Sequence, residues 1–129
     1  MANYTITNLK QDVEDTAGTR TPSVEGRFAR KYLDSRDLGI SYFRYAPGFR
    51  SPVGHRHREQ EEVYVVLSGS GRVKLDDGVR DLRQWDVVRV APEVGRAFEA
   101  GADGLELLIA GSARPEGGDG ELVEDFWGE

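Results

Sequence analysis

Short apolar stretches separated by polar or glycine-rich breaks run through the chain, and they follow the two-residue period of strands rather than the 3.6-residue period of helices. The clearest is Glu62 to Ser68, where Val63, Val65 and Leu67 fall on one face and Tyr64 and Val66 on the other. A strand apolar on both faces is expected to be covered on both. Gly69-Ser70-Gly71 reads as a turn into a further strand, Arg72 to Leu75, and Asp76-Asp77-Gly78 as a hairpin turn, since aspartate and glycine tolerate the positive φ of tight turns. Val79 to Leu82, Trp85 to Val90, Arg96 to Ala100 and Leu105 to Ala110 continue the series at the spacing of a sandwich or barrel. Upstream, Tyr4 to Leu9 alternates like an edge strand, Gln11 to Ser23 reads as a polar loop, and Gly26 to Leu33 as a second strand. Ile40 to Tyr45 is a third, ended by Ala46-Pro47-Gly48. Ser112 to Gly120 carries too much glycine, proline and charge to pack. Leu122, Val123, Phe126 and Trp127 give the tail an apolar end that is expected to dock.

The pattern therefore predicts an all-β chain, and 129 residues suit one domain with one core. Apolar runs such as Val63 to Leu67 fall far short of the roughly 20 residues of a membrane helix, so no membrane association is expected. The first residues show neither a basic segment nor an apolar leader, which makes the cytoplasm the expected location. There is no cysteine, so thiolate metal sites and cysteine nucleophiles are excluded, and any metal must rest on imidazole, carboxylate or amide oxygen. A net charge of -6 argues against nucleic acid as a partner.

The only two histidines lie two positions apart, at His55 and His57. In an extended segment they share a face, with Arg56 and Arg58 on the other. Glu62 heads the best strand, and a turn through Glu59, Gln60 and Glu61 brings its carboxylate within reach of both rings. Two imidazoles and one carboxylate suit Fe(II), and Mn, Ni, Zn or Cu nearly as well. The alternative is a solvated charged loop. No spare histidine is left to activate Ser68, Ser70 or Ser112, which removes a nucleophilic triad.

Gly48, the His55-Arg56-His57 pair, Glu62 five residues on, and Gly69 seven after that resemble the first conserved motif of the cupins, with six residues rather than five between the first glycine and the first histidine. The resemblance covers roughly Ser41 to Gly111 and implies a jelly-roll barrel, also called a double-stranded β-helix, with His55, His57 and Glu62 on one metal. It divides the chain into N-terminal strands (1–40), a barrel core (41–111) and a tail (112–129). Because cupins commonly pair through N-terminal strands, it also implies a homodimer. In the second family motif Pro92 and Gly95 stand in place, but Arg96 or Ala97 occupies the position of the fourth ligand, a histidine in the family.

Three readings follow. The first is a metal-dependent enzyme of dioxygenase, isomerase or decarboxylase type, with the metal on His55, His57, Glu62 and Gln60, acting on a small oxygen-rich substrate. The second is a metal-free small-ligand barrel in which Arg96 replaces the missing ligand and pairs with Glu62 or with an anionic ligand. The third is an interaction or storage barrel with an inert cavity. For the first two, the cavity wall is expected to include Tyr42 or Phe43, Val65, Leu67, Trp85 and Phe98 beside Arg96.

Overall fold

The computed structural model describes residues 3–18 and 20–128. Its elements are β1 (Val24–Phe28), α1 (Arg30–Leu33), β2 (Gly39–Tyr45), β3 (Gly54–His57), β4 (Glu62–Leu75), β5 (Gly78–Arg83), β6 (Val87–Val90), β7 (Arg96–Gly111) and β8 (Gly120–Val123). All pairings between them are antiparallel. Among the described residues no helix is long and apolar enough to cross a membrane.

Two long strands organise the barrel. β4 and β7 run against each other from Glu62↔Gly111 to Leu75↔Arg96, so each serves both walls. Their outer halves pair with β6 and with β2, which carries β1 on its far edge. Their other halves meet β5 and, through His55↔Arg96, β3. Between the walls lie Tyr64, Val66, Val73, Leu82, Val90, Phe98, Ala100, Leu105 and Leu107. Burying such side chains contributes roughly 1.5–3 kcal/mol each for the larger ones, which is what holds the curl closed.

Gly69-Ser70-Gly71 is a bend inside β4 and not a turn between two strands. The β4–β7 register shifts there, and Gly69 adopts φ +77°. A Cβ at Gly69 would lie 2.1 Å from the carbonyl oxygen of Gly104, itself at φ +81°, so two glycines let both long strands bend at one level. For the same reason Arg96 to Ala100 and Leu105 to Ala110 form one strand. The hairpin at Asp76-Asp77 forms as expected, with Leu75 opposite Gly78.

The N-terminal region departs further from expectation. Tyr4 to Leu9 makes no ladder, and Tyr4 and Ile6 stay exposed; the strand expected over Gly26 to Leu33 ends at Phe28 and gives way to the short α1. Instead of pairing, the segment lies across the outer face of the β1–β2 wall. Val13 is buried, Arg27 donates to the carbonyls of Lys10 and Val13, and Lys10 Nζ sits 4.3 Å from the Tyr42 ring centre. Beneath it Glu25 accepts hydrogen bonds from Lys10 (3.0 Å), Arg27 (2.6 Å) and Arg44 (3.2 Å).

The tail docks. β8 pairs along the whole of β3, Trp127 Nε1 donates to the Ser51 carbonyl at 2.8 Å, and the Arg50 guanidinium stacks 4.2 Å from the Trp127 ring centre. Phe126 fills the space left by Gly54 and Gly95. The linker before it is not wholly loose, because Asp119 is buried.

Candidate metal centre

Strand alternation puts His55 and His57 on one face of β3, with ring centres 5.1 Å apart and nearly perpendicular. Glu62 enters from the first residue of β4. Its Oε1 lies 3.5 Å from His55 Nε2 and 3.2 Å from His57 Nε2, and the three potential donor atoms fall within 4.8 Å of one another. The same oxygen accepts a 2.5 Å hydrogen bond from the Tyr64 hydroxyl and faces Arg96 Nη1 at 3.6 Å. One carboxylate oxygen is thus the focus of two imidazoles, a phenol and a guanidinium.

His57 is fixed from behind. Its Nδ1 lies 2.9 Å from Asp119 Oδ1, while Asp119 Oδ2 accepts the backbone N–H groups of Arg58 (3.1 Å), Glu59 (2.7 Å) and Gln60 (2.9 Å). A carboxylate that accepts at Nδ1 places the proton of the neutral ring there and leaves the Nε2 lone pair pointing inward. His57 Nε2 is buried, and its 3.2 Å approach to Glu62 is too poorly aligned for a hydrogen bond. A buried acceptor atom aimed at a second donor set is what a metal ligand requires.

Charge follows this arrangement. Burial disfavours an ionised Glu62, but His55, His57 and Tyr64 outweigh it and hold the carboxyl far below its usual range. Glu62, then Asp119, raise the His57 pKa against the opposing effect of burial. Burial likewise works against Asp119, yet the N–H groups of Glu59 and Gln60 together with His57 hold it at about 2.

Arg96, the residue standing where a fourth ligand was expected, points inward and has no solvent exposure. Its Nη2 donates to the Ala91 carbonyl at 2.9 Å, whereas Nε and Nη1 make no hydrogen bond. A guanidinium cannot shed its charge, so Glu62 is its electrostatic counterpart. Gln60 does not join the cluster: its side chain donates to the Ser112 carbonyl at 3.1 Å.

A cavity of about 300 Å³ opens in front of His55. Phe98 lines it, as does Phe43 rather than Tyr42. Tyr42 projects through the opposite face of β2 and hydrogen-bonds Glu106 beneath the N-terminal segment. Val65 and Leu67 also face outward, because Glu62, Tyr64 and Val66 share the inward parity of β4. Trp85 sits 68% exposed in the β5–β6 turn at φ +74°, away from the cavity. Two residues at the centre were not anticipated. Tyr64 shares the parity of Glu62, which is a usable signal; Asp119 lies 62 residues from its histidine and carries none.

A curled antiparallel barrel that brings two histidines of β3 and a glutamate of β4 together has the architecture of the cupin barrels. The Cupin domain model matches residues 41–109, and the chain belongs to the cupin family. No curated protein matches it. Among solved structures it resembles the polyketide cyclase RemF from Streptomyces resistomycificus (16% identity, TM-score 0.72, covering 96% of this chain and 85% of that one). It also resembles a cupin protein, BF4112, from Bacteroides fragilis (23% identity, TM-score 0.70, covering 89% and 87%). A third is a salicylate 1,2-dioxygenase variant from Pseudoaminobacter salicylatoxidans in complex with gentisate (17% identity, TM-score 0.61, covering 72% and 26%). At these identities the likeness is one of fold.

Proposed function

We propose that this cupin is a metal-dependent enzyme acting on a small molecule, with a divalent ion held by His55, His57 and Glu62. The observation that carries the reading is His57: Asp119 fixes its Nδ1, and its buried Nε2 is left without a hydrogen bond 3.2 Å from Glu62. A divalent ion there supplies Lewis acidity to an oxygen of the ligand. The chain's own residues do the rest. Asp119 orients one imidazole, Tyr64 orients the carboxylate, and half-exposed His55 forms the edge of the centre that meets the cavity.

Arg96 favours a second reading, a metal-free ligand-binding barrel, because its charge 3.6 Å from Glu62 opposes a cation. Elemental analysis of untagged protein, followed by calorimetric titration of the stripped protein with Zn²⁺, distinguishes them. About one ion per chain and saturable binding abolished by Glu62→Ala support the first reading. A metal-free protein that takes up no Zn²⁺ overturns it in favour of the second.

A further inference from the structure

The cavity walls speak to ligand class. Five aromatic rings (Phe28, Phe43, Tyr45, Tyr64 and Phe98) line the space in front of His55, joined by aliphatic side chains that include Leu122. Among the described residues no lysine, arginine or carboxylate lines it; Arg96 lies behind Glu62 and outside the wall. The polar groups in the wall are mostly committed within the protein, since Ser51 Oγ donates to the Val53 carbonyl at 3.0 Å and the Tyr64 hydroxyl to Glu62. His55 and the Tyr45 hydroxyl are the polar side-chain groups left to meet a ligand. A sugar or a polycarboxylate entering here would lose water from many oxygens and find few partners, a cost that a buried polar group does not recover without hydrogen bonds.

The rings are ordered for flat partners. Phe28 meets Phe43 edge-on at 5.4 Å, Phe43 leans on Tyr45 at 5.9 Å, and Tyr45 stacks on Phe49 at 5.6 Å. The same row lines a second hollow of about 500 Å³, which shares Phe28, Phe43, Tyr45 and Ser51 with the first and extends to the loop around Thr16 and Thr21. Two large apolar side chains at the cavity rim are exposed, Phe28 by 50% and Leu122 by 76%. Leu122 pairs directly with His55 across the β3–β8 ladder, so the two side chains share a face.

We infer that the ligand is a flat, mostly apolar compound of more than one ring, presenting a single oxygen to the His55 end. It lies along the row from Phe98 to Phe28, and Phe28 and Leu122 close on its edges. This departs from the oxygen-rich substrate expected from sequence. It rests on the proposed function only in taking the cavity at His55 as the ligand chamber, and it does not need the ion.

Titration calorimetry with 2-naphthol, catechol and gluconate, on stripped and on Zn²⁺-treated protein, tests the inference. 2-Naphthol is expected to bind at least tenfold more tightly than gluconate, with catechol between them. Phe28→Ala and Leu122→Ser, both at exposed positions that the barrel core does not use, are each expected to weaken 2-naphthol at least fivefold and to leave Zn²⁺ uptake unchanged. Gluconate binding as tightly as 2-naphthol, or 2-naphthol affinity unmoved by both substitutions, overturns the inference. If 2-naphthol binds as expected while Zn²⁺ is never taken up, the ligand class stands and the metal reading falls. If Zn²⁺ binds and 2-naphthol does not, the reverse holds.

Discussion

Replacing Arg96 by histidine removes a buried charge and returns an imidazole to the centre. Arg96 Nη1 lies 3.6 Å from Glu62 Oε1. A dication bonded to that oxygen at a distance of about 2.1 Å sits no more than about 6 Å from the guanidinium nitrogen. At an effective dielectric constant of about 20, repulsion between two charges and one across 6 Å is on the order of 5 kcal/mol before the surroundings respond. Side-chain relaxation and water offset much of it. Recovering even a quarter gives about 1.4 kcal/mol, or tenfold. Arg96→His is therefore expected to bind Zn²⁺ at least tenfold more tightly than the native protein. Arg96→Met, which deletes the charge and adds no strong ligand, should gain a smaller factor. Both variants leave the Ala91 carbonyl without its donor, for an expected loss of about 1–3 kcal/mol in urea unfolding of the metal-free protein. Calorimetric titration gives the affinities, and unfolding curves confirm that the variants are folded. Equal, tight binding by all three proteins would refute the argument, because the guanidinium would then exert no force on the ion.

Asp119→Asn keeps the side chain's shape but weakens its hold on His57 Nδ1 and is expected to lower Zn²⁺ affinity about 10–100-fold, read by competition with a chromogenic chelator. Glu25 gives a pH signature: burial opposes its ionisation, but Arg27, Lys10 and Arg44 outweigh it and hold the carboxyl at about 2, down from 4.5. Its stabilisation is thus complete above about pH 4.5 and fades as pH falls toward 2. Glu25→Gln should cost about 1–2 kcal/mol at pH 7, with the difference from native shrinking through that window; a constant difference would contradict it. The N-terminal segment leaves Tyr4 and Ile6 exposed beside the β1 wall, and light scattering is expected to give twice the chain mass of 14.3 kDa. A mass near 14.3 kDa at micromolar concentration would count against a dimer.

Period-two patterning located the strands of the barrel well, because alternation is imposed by the pleat wherever one face is buried. It was weakest where both faces are covered. Val63, Val65 and Leu67 are as apolar as Tyr64 and Val66, so composition alone does not say which set points inward, and the polar Glu62 at the head of the strand decides it. Gly69-Ser70-Gly71 has the composition of a turn, yet the partner strand bends with it and the ladder continues. The His55, His57 and Glu62 cluster was legible because its members lie within eight residues and two short segments fix their geometry. Arg96 was legible only as a question of register. Asp119 was not, since it reaches His57 from a docked tail, and no local rule connects the two.

The tail has a practical consequence. β3 carries both histidines, yet one residue pair joins it to β7 and four join it to β8. Ala113, Arg114, Glu116 and Gly117, in the strap leading to β8, are exposed. A protease that nicks there severs no strand of the central β4–β7 ladder, but it cuts the covalent link between β7 and the segment bearing Asp119 and Leu122. The strap is placed like a fuse: a cut there uncouples the residue that fixes His57 and the side chain at the cavity rim from the long strands of the barrel, and leaves those strands whole.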